Sequence, residues 1–167
     1  MTQVGGIVLA GGRSARMGLD KAVIDWHGTP LVVHVADVLR DALDGPLVVV
    51  HAEGQELPPL RGVELACDAV PARGPLEGLR AGLAALDGRV DAAFVTAVDV
   101  PLLERRLVGL LSRSLADADV ALAELEHDRP PLPGVFRITL LPVVDRLLAD
   151  GRRALRDLLA CAAVVTV

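Results

Sequence analysis

The sequence predicts an α/β fold: a three-layer, Rossmann-like, doubly wound sheet, mostly parallel, with helices on both faces. Three observations carry that prediction. Apolar runs at residues 4–9, 47–50 and 91–98 read as buried strands, and the run at 47–50 is continuous, the form a strand takes when both faces are covered. Stretches with leucine and valine at helical spacing separate these runs, so strands and helices alternate along the chain. The first run opens directly into a glycine-rich loop, and open α/β sheets bind ligands beyond the carboxyl ends of their strands.

Composition bounds the function. A chain of 167 residues that is 52% hydrophobic suits one domain, residues 1–167, with a substantial core. Trp26, Phe94 and Phe136 are its only aromatic rings, so valine, leucine, isoleucine and alanine must fill that core, and a stacking platform for single-stranded nucleic acid is excluded. A formal net charge of -5 likewise excludes a broad basic surface for phosphate backbones. Cys67 and Cys161 are far apart and form no Cys-x-x-Cys; they are expected to be ordinary buried thiols in a reducing compartment, with no metal signature. The N-terminal apolar run has no basic leader or cleavage site, and no window approaches a membrane span. The expectation is a soluble cytoplasmic protein with neither membrane nor nucleic acid as partner.

Taking the elements in order, the first strand ends in Leu-Ala-Gly-Gly-Arg-Ser-Ala-Arg-Met-Gly-Leu-Asp-Lys-Ala, residues 9–22. Gly11 and Gly12 free the backbone to turn sharply and to point N–H groups at an anion. Arg13, Arg16 and Lys21 surround that concavity with positive charge, which suits a polyphosphate. A Gly-Gly pair after a strand also serves as a plain tight turn, and surface arginine is common. The P-loop is excluded because Gly18 is followed by Leu19 and Asp20 and no hydroxyl residue follows Lys21. The dinucleotide fingerprint is excluded because the paired glycines are adjacent.

On these residues the string resembles the signature loop of nucleotidyltransferases, and specifically of the molybdenum cofactor guanylyltransferases of MobA type. Related cytidylyl- and sugar-nucleotide transferases usually carry Leu-Ala-Ala-Gly, so Gly11 leans towards the guanylyl branch. The resemblance implies transfer of GMP from GTP to molybdopterin with release of pyrophosphate and a requirement for Mg2+. It places Leu9, Ala10, Gly11, Gly12 and Lys21 at the nucleotide, the amides of Ala10 to Gly12 on the triphosphate, and Arg16 and Lys21 on the transition state. A cytidylyltransferase, another NTP transferase for a small phosphorylated acceptor, and a non-catalytic nucleotide-binding relative are the competing readings. A protein partner that delivers molybdopterin, or a molybdoenzyme that receives the product, fits the same resemblance.

Beyond the loop, residues 22–25 read as a short extended piece. Trp26 and His27 either line the loop or pack beneath it. Thr29 and Pro30 look like the cap and first turn of a helix whose apolar positions are Leu31, Val35, Val38, Leu39 and Ala42. His34 within it reads as a boundary residue. Gly45-Pro46 ends that helix, and the next strand, residues 47–50, ends at His51, in the position where ligands bind. Members of the resembled family usually have Asn there, touching the nucleoside; imidazole also donates and accepts hydrogen bonds.

A third strand near residues 63–66 runs into Cys67-Asp68, and Gly74-Pro75-Leu76-Glu77-Gly78 opens a helix with Leu76, Leu79, Leu83 and Leu86 on one face. By resemblance, Asp68 and this turn, with Gly78, flank the guanine, whose N1–H and amino group suit a carboxylate. A turn or helix cap is the other reading of Asp68. The strand at 91–98 ends in Asp99-Val100-Pro101, where a carboxylate can hold Mg2+ shared with substrate phosphates. The family counterpart of Asp99 binds the metal.

Leu107, Leu110 and Leu111 suggest a helix ending near Ser114, and residues 120–125 a strand. Residues 127–137 loosely resemble a family stretch near the acceptor, with His127 also readable as an exposed turn residue. Helices over 140–148 and 154–159, separated by Asp150-Gly151, and a strand over 164–167 complete the pattern. Members of the resembled family continue into an Asn-x-Asn-Thr-Pro-like segment and a last helix.

Overall fold

The structure is a computed structural model that describes residues 2–11, 20–68, 74–123 and 132–167. It follows the order β1 (Val4–Leu9), a single 3₁₀ turn (Lys21–Val23), β2 (Asp25–Trp26), β3 (Thr29–Pro30), α1 (Leu31–Ala42), β4 (Leu47–Ala52) and β5 (Glu64–Asp68). Then come α2 (Pro75–Leu86), β6 (Ala92–Ala97), α3 (Arg105–Ser114), β7 (Val120–Leu122) and β8 (Gly134–Arg137). A 3₁₀ turn (Ile138–Leu140), α4 (Leu141–Ala149), α5 (Leu155–Leu159) and β9 (Val164–Thr166) close the chain.

Seven strands form one sheet in the order β5-β4-β1-β6-β8-β7-β9. β1 pairs in parallel with β4 and β6, β4 with β5, and β7 with β9. β8 runs antiparallel to both of its neighbours. Successive residues of each strand feed opposite cores, as the pleat dictates. Ile7, Val48, Val50, Val95 and Phe136 pack with the buried leucines of α2 and with α4 and α5. Val8, Val49, Phe94, Ala121 and Val135 pack with α1 and α3. The expected three layers are therefore present, with α1 and α3 on one face and α2, α4 and α5 on the other.

Several expectations are corrected. Thr29 does not cap α1: with Pro30 it forms β3, paired antiparallel with β2. Between them His27 and Gly28 take positive φ values of 53° and 85°, the backbone of a tight hairpin turn. The backbone N–H of Leu31 instead donates to the Ile24 carbonyl at 2.9 Å, so the chain itself caps the helix. Of residues 22–25, Ala22 and Val23 coil rather than extend, because the Asp20 carboxylate accepts from Ala22 N at 2.9 Å and closes a 3₁₀ turn, and the extended piece begins at Asp25 in β2. In α3 the buried face is Val108 and Leu111, while Leu110 is 42% exposed. β8 lies within residues 127–137, a stretch to which the sequence assigned no strand. Cys67 and Cys161 are exposed free thiols rather than buried ones: β5 is an edge strand, and Cys161 lies in the turn after α5. Gly12, Arg13, Arg16 and His127 lie outside the described residues. Among the described residues, no helix is long and apolar enough to cross a membrane.

Candidate functional site

The chain leaves β1 to build β4 and β5 on one side and then returns, through α2, to place β6 on the other. The strand order thus reverses between the carboxyl ends of β1 and β6, the point at which doubly wound sheets leave a crevice. Leu9 pairs with Ala97 across that boundary, and Val98 N donates to the Leu9 carbonyl at 3.1 Å.

One pairing dominates the crevice. Lys21, at the start of the 3₁₀ turn, and Asp99, in the turn after β6, are 78 residues apart in sequence. Their side chains meet at 2.7 Å between Nζ and Oδ2 and remain 33% and 47% exposed. Each end is braced locally. The Asp20 carboxylate holds the turn that presents Lys21. His34 Nε2 of α1 donates to the Pro101 carbonyl at 2.9 Å, which anchors the turn that carries Asp99.

The strand ladder corrects one expectation about the loop. The amides of Ala10 and Gly11 both donate to the Val50 carbonyl, at 2.8 and 3.2 Å, so they are committed to the sheet rather than to an anion. The register between β1 and β4 simply continues past Leu9. Gly11 eases the packing here, since a Cβ would come within 3.2 Å of the Ala52 amide nitrogen and require a small shift.

His51 and Asp68 sit on neighbouring strands, with His51 level with Cys67 and Ala52 with Asp68. Both are half-buried. The His51 Nδ1–H donates to the Ala52 carbonyl at 2.9 Å, which leaves Nε2 of the neutral ring as an acceptor. Gly78 is buried, and a Cβ on it would approach Leu9 Cδ2 to 3.3 Å, so its contribution is to let α2 sit close on the strand ends. Gly74 has a φ of 100° and lies against the Arg153 carbonyl, which accepts from Leu76 N at 3.3 Å and caps the start of α2.

Sequence reasoning did not single out Arg153 or Gln55, and it read His34 only as a boundary residue. Each acts across the fold through a partner far away in the chain, and no local pattern announces such a contact.

As a metal site, Asp99 offers one hard, half-exposed carboxylate. Among the described residues no group of three or more His, Cys, Asp and Glu side chains gathers to enclose an ion. That donor set fits a divalent cation that takes its other ligands from phosphate and water.

The profile of the MobA-like NTP transferase domain matches residues 6–165. The chain belongs to the MobA-like NTP transferase family. It is 40% identical over 158 residues to a probable molybdenum cofactor guanylyltransferase of Mycobacterium bovis, covering 92% of this chain and 77% of the relative. It is 35% identical over 156 residues to a protein of the same description from Opitutus terrae, covering 93% of this chain and 77% of that one. The crystal structure of molybdopterin-guanine dinucleotide biosynthesis protein A from Archaeoglobus fulgidus shares the fold, with a TM-score of 0.73 at 19% identity over 98% of this chain and 82% of that chain. NTP transferases of this kind generally use a divalent metal.

Proposed function

We propose that this chain transfers GMP from GTP to molybdopterin and releases pyrophosphate, as a cytoplasmic enzyme of one domain with Mg2+ as its metal. The observation that carries the reading is the half-exposed Lys21–Asp99 pair at the switch point of the sheet. The relatives' description as molybdenum cofactor guanylyltransferases supplies the nucleotide and the acceptor.

In this reaction a terminal phosphate oxygen of the acceptor attacks the α-phosphorus, and the bond to the pyrophosphate oxygen breaks. No enzyme nucleophile is required, so catalysis rests on positioning and on neutralising phosphoryl charge. Asp99 would hold Mg2+, which when bound screens and aligns the phosphate oxygens. Lys21 delivers its ammonium to the same point, where charge builds on the phosphates. Arg16, in the signature segment, would supply a second cation, and Gly12 a backbone N–H to the triphosphate. His51, Asp68 and the Gly74–Gly78 turn form the guanine side. A protein that delivers molybdopterin, or a molybdoenzyme that takes up the product, would meet the acceptor side.

Calorimetric titration of GTP, CTP and ATP with Mg2+, repeated on Asp99→Asn, tests the reading. The expected result is a GTP preference of about tenfold, near 1.4 kcal/mol, that weakens in the variant. Equal binding of all three would remove the guanine assignment, and no binding would remove the nucleotide reading.

A further inference from the structure

Gln55 lies in the connection between β4 and β5, and its carboxamide is the hub of four polar contacts. Its Oε1 accepts from the Ala52 amide at 2.9 Å. Its Nε2 donates to the Ala10 carbonyl at 3.0 Å and to both oxygens of the Asp20 carboxylate at 3.0 and 2.9 Å. These partners fix the amide's orientation without ambiguity, since Ala52 offers only a donor and the others only acceptors. The residue is itself pinned: Gln55 N donates to the Ala52 carbonyl at 3.1 Å, closing a turn in which Gly54 has a φ of 72°.

The placement of the two acceptors is what matters. Ala10 and Asp20 stand on either side of the glycine- and arginine-bearing signature segment, and they are 45 and 35 residues from Gln55. One amide group therefore ties both ends of that segment to the end of β4. Asp20 also caps the turn that presents Lys21, and Lys21 meets Asp99. A continuous line of contacts runs Ala52, Gln55, Asp20, Lys21, Asp99.

We propose that Gln55 is a positioning residue of the nucleotide site: it bridges Ala10 and Asp20 and thereby sets Lys21 against Asp99. The proposal rests on the nucleotide reading above and adds to it a residue that acts without touching the substrate. Only an uncharged donor works here. A carboxylate at this position would face the Asp20 carboxylate and the Ala10 carbonyl and would repel both.

The test is calorimetric titration of GTP with Mg2+ into wild type, Gln55→Glu, Gln55→Met and the double variant Gln55→Glu/Asp20→Asn, with thermal unfolding of each. Gln55→Glu is expected to weaken GTP binding by about 30-fold, and Gln55→Met, which only removes the donors, by about tenfold. Asp20→Asn in the Gln55→Glu background is expected to recover about tenfold, because the new amide donates to the new carboxylate. A merely structural role predicts that the losses and the rescue follow the unfolding midpoints, whereas the positioning role predicts weakened binding in variants that unfold like wild type. If Gln55→Glu does not fold, Gln55→Met carries the test. Binding by the foldable single variants within about threefold of wild type, about 0.7 kcal/mol, overturns the positioning role, as does the absence of rescue in a folded double variant. Wild-type protein that binds no nucleotide overturns the nucleotide reading, and this role with it; normal wild-type binding with unaffected variants overturns this role alone.

Discussion

Replacing Lys21 by alanine separates what the Lys21–Asp99 pair does for the fold from what it does for the reaction. In the resting structure the two groups touch at 2.7 Å, but 33% of the Lys21 side chain and 47% of the Asp99 side chain face solvent. Exposed pairs of this kind contribute about 0–1 kcal/mol, and salt screens them further. Lys21 also has no part in the sheet, and Ala22, not Lys21, is the buried residue of its turn. Lys21→Ala should therefore leave the urea midpoint within about 1 kcal/mol of wild type. Its effect on catalysis should be much larger. A preorganised donor aimed at developing charge is worth about 2.7–4 kcal/mol, or a factor of about 10²–10³ in rate. Pyrophosphate release from GTP in the presence of molybdopterin and saturating Mg2+ measures the rate, and urea unfolding of the same preparation measures the fold. A rate within about threefold of wild type would refute the phosphate role, and a stability loss above about 3 kcal/mol would show the pair to be structural after all.

Two further outcomes follow from the packing and the surface. Gly82 of α2 lies so close to β1 that a Cβ would meet Ile7 Cγ2 at 2.7 Å and Cδ1 at 2.8 Å, and Ile7 is fully buried. Gly82→Ala should gain up to about 1 kcal/mol of helix propensity but cost about 1–3 kcal/mol in overpacking, a net loss that urea unfolding will show; a more stable variant would contradict it. At the far edge of the sheet, Arg89 grips Glu64 through both carboxylate oxygens, at 2.8 and 2.7 Å. That hydrogen bonding holds the Glu64 carboxyl below the usual glutamate range and raises Arg89. A depressed carboxyl stabilises the fold at pH values above its unfolded range and loses that effect as the pH falls through its folded range. The stability difference between wild type and Glu64→Gln should thus be constant near neutrality and shrink on acidification; urea midpoints that diverge as the pH falls would contradict this.

Much of this architecture was legible because it is written in short periods. Valine-rich runs mark strands buried on both faces, and the leucines at 76, 79, 83 and 86 mark the face of α2, all of them fully buried in the structure. Gly74 and Pro75 announced the start of that helix, and Gly151, with a φ of 80°, the stop after α4. The readings that failed were those where a non-local partner decided the outcome. Thr29 has the chemistry of a cap, yet the turn at His27 and Gly28 drew it into a hairpin and left the Ile24 carbonyl to hold the helix. Cys67 looked like core and became surface because β5 happens to be the edge of the sheet.

The site divides in the same way. That a glycine-rich segment bearing Lys21 follows the first strand and Asp99 a later one is readable from short windows of sequence, because strand ends and turn residues are local properties. Only the tertiary structure decided that β1 and β6 are neighbours at the point where the strand order reverses. That adjacency brings Lys21 to Asp99, while the pairing of β1 with β4 assigns the amides of Ala10 and Gly11 to Val50 and gathers Ala10, Asp20 and Ala52 around one glutamine. Such contacts join residues tens of positions apart, and their hydrogen bonds depend on strand order and register, which packing of the whole sheet sets and no short window of sequence contains.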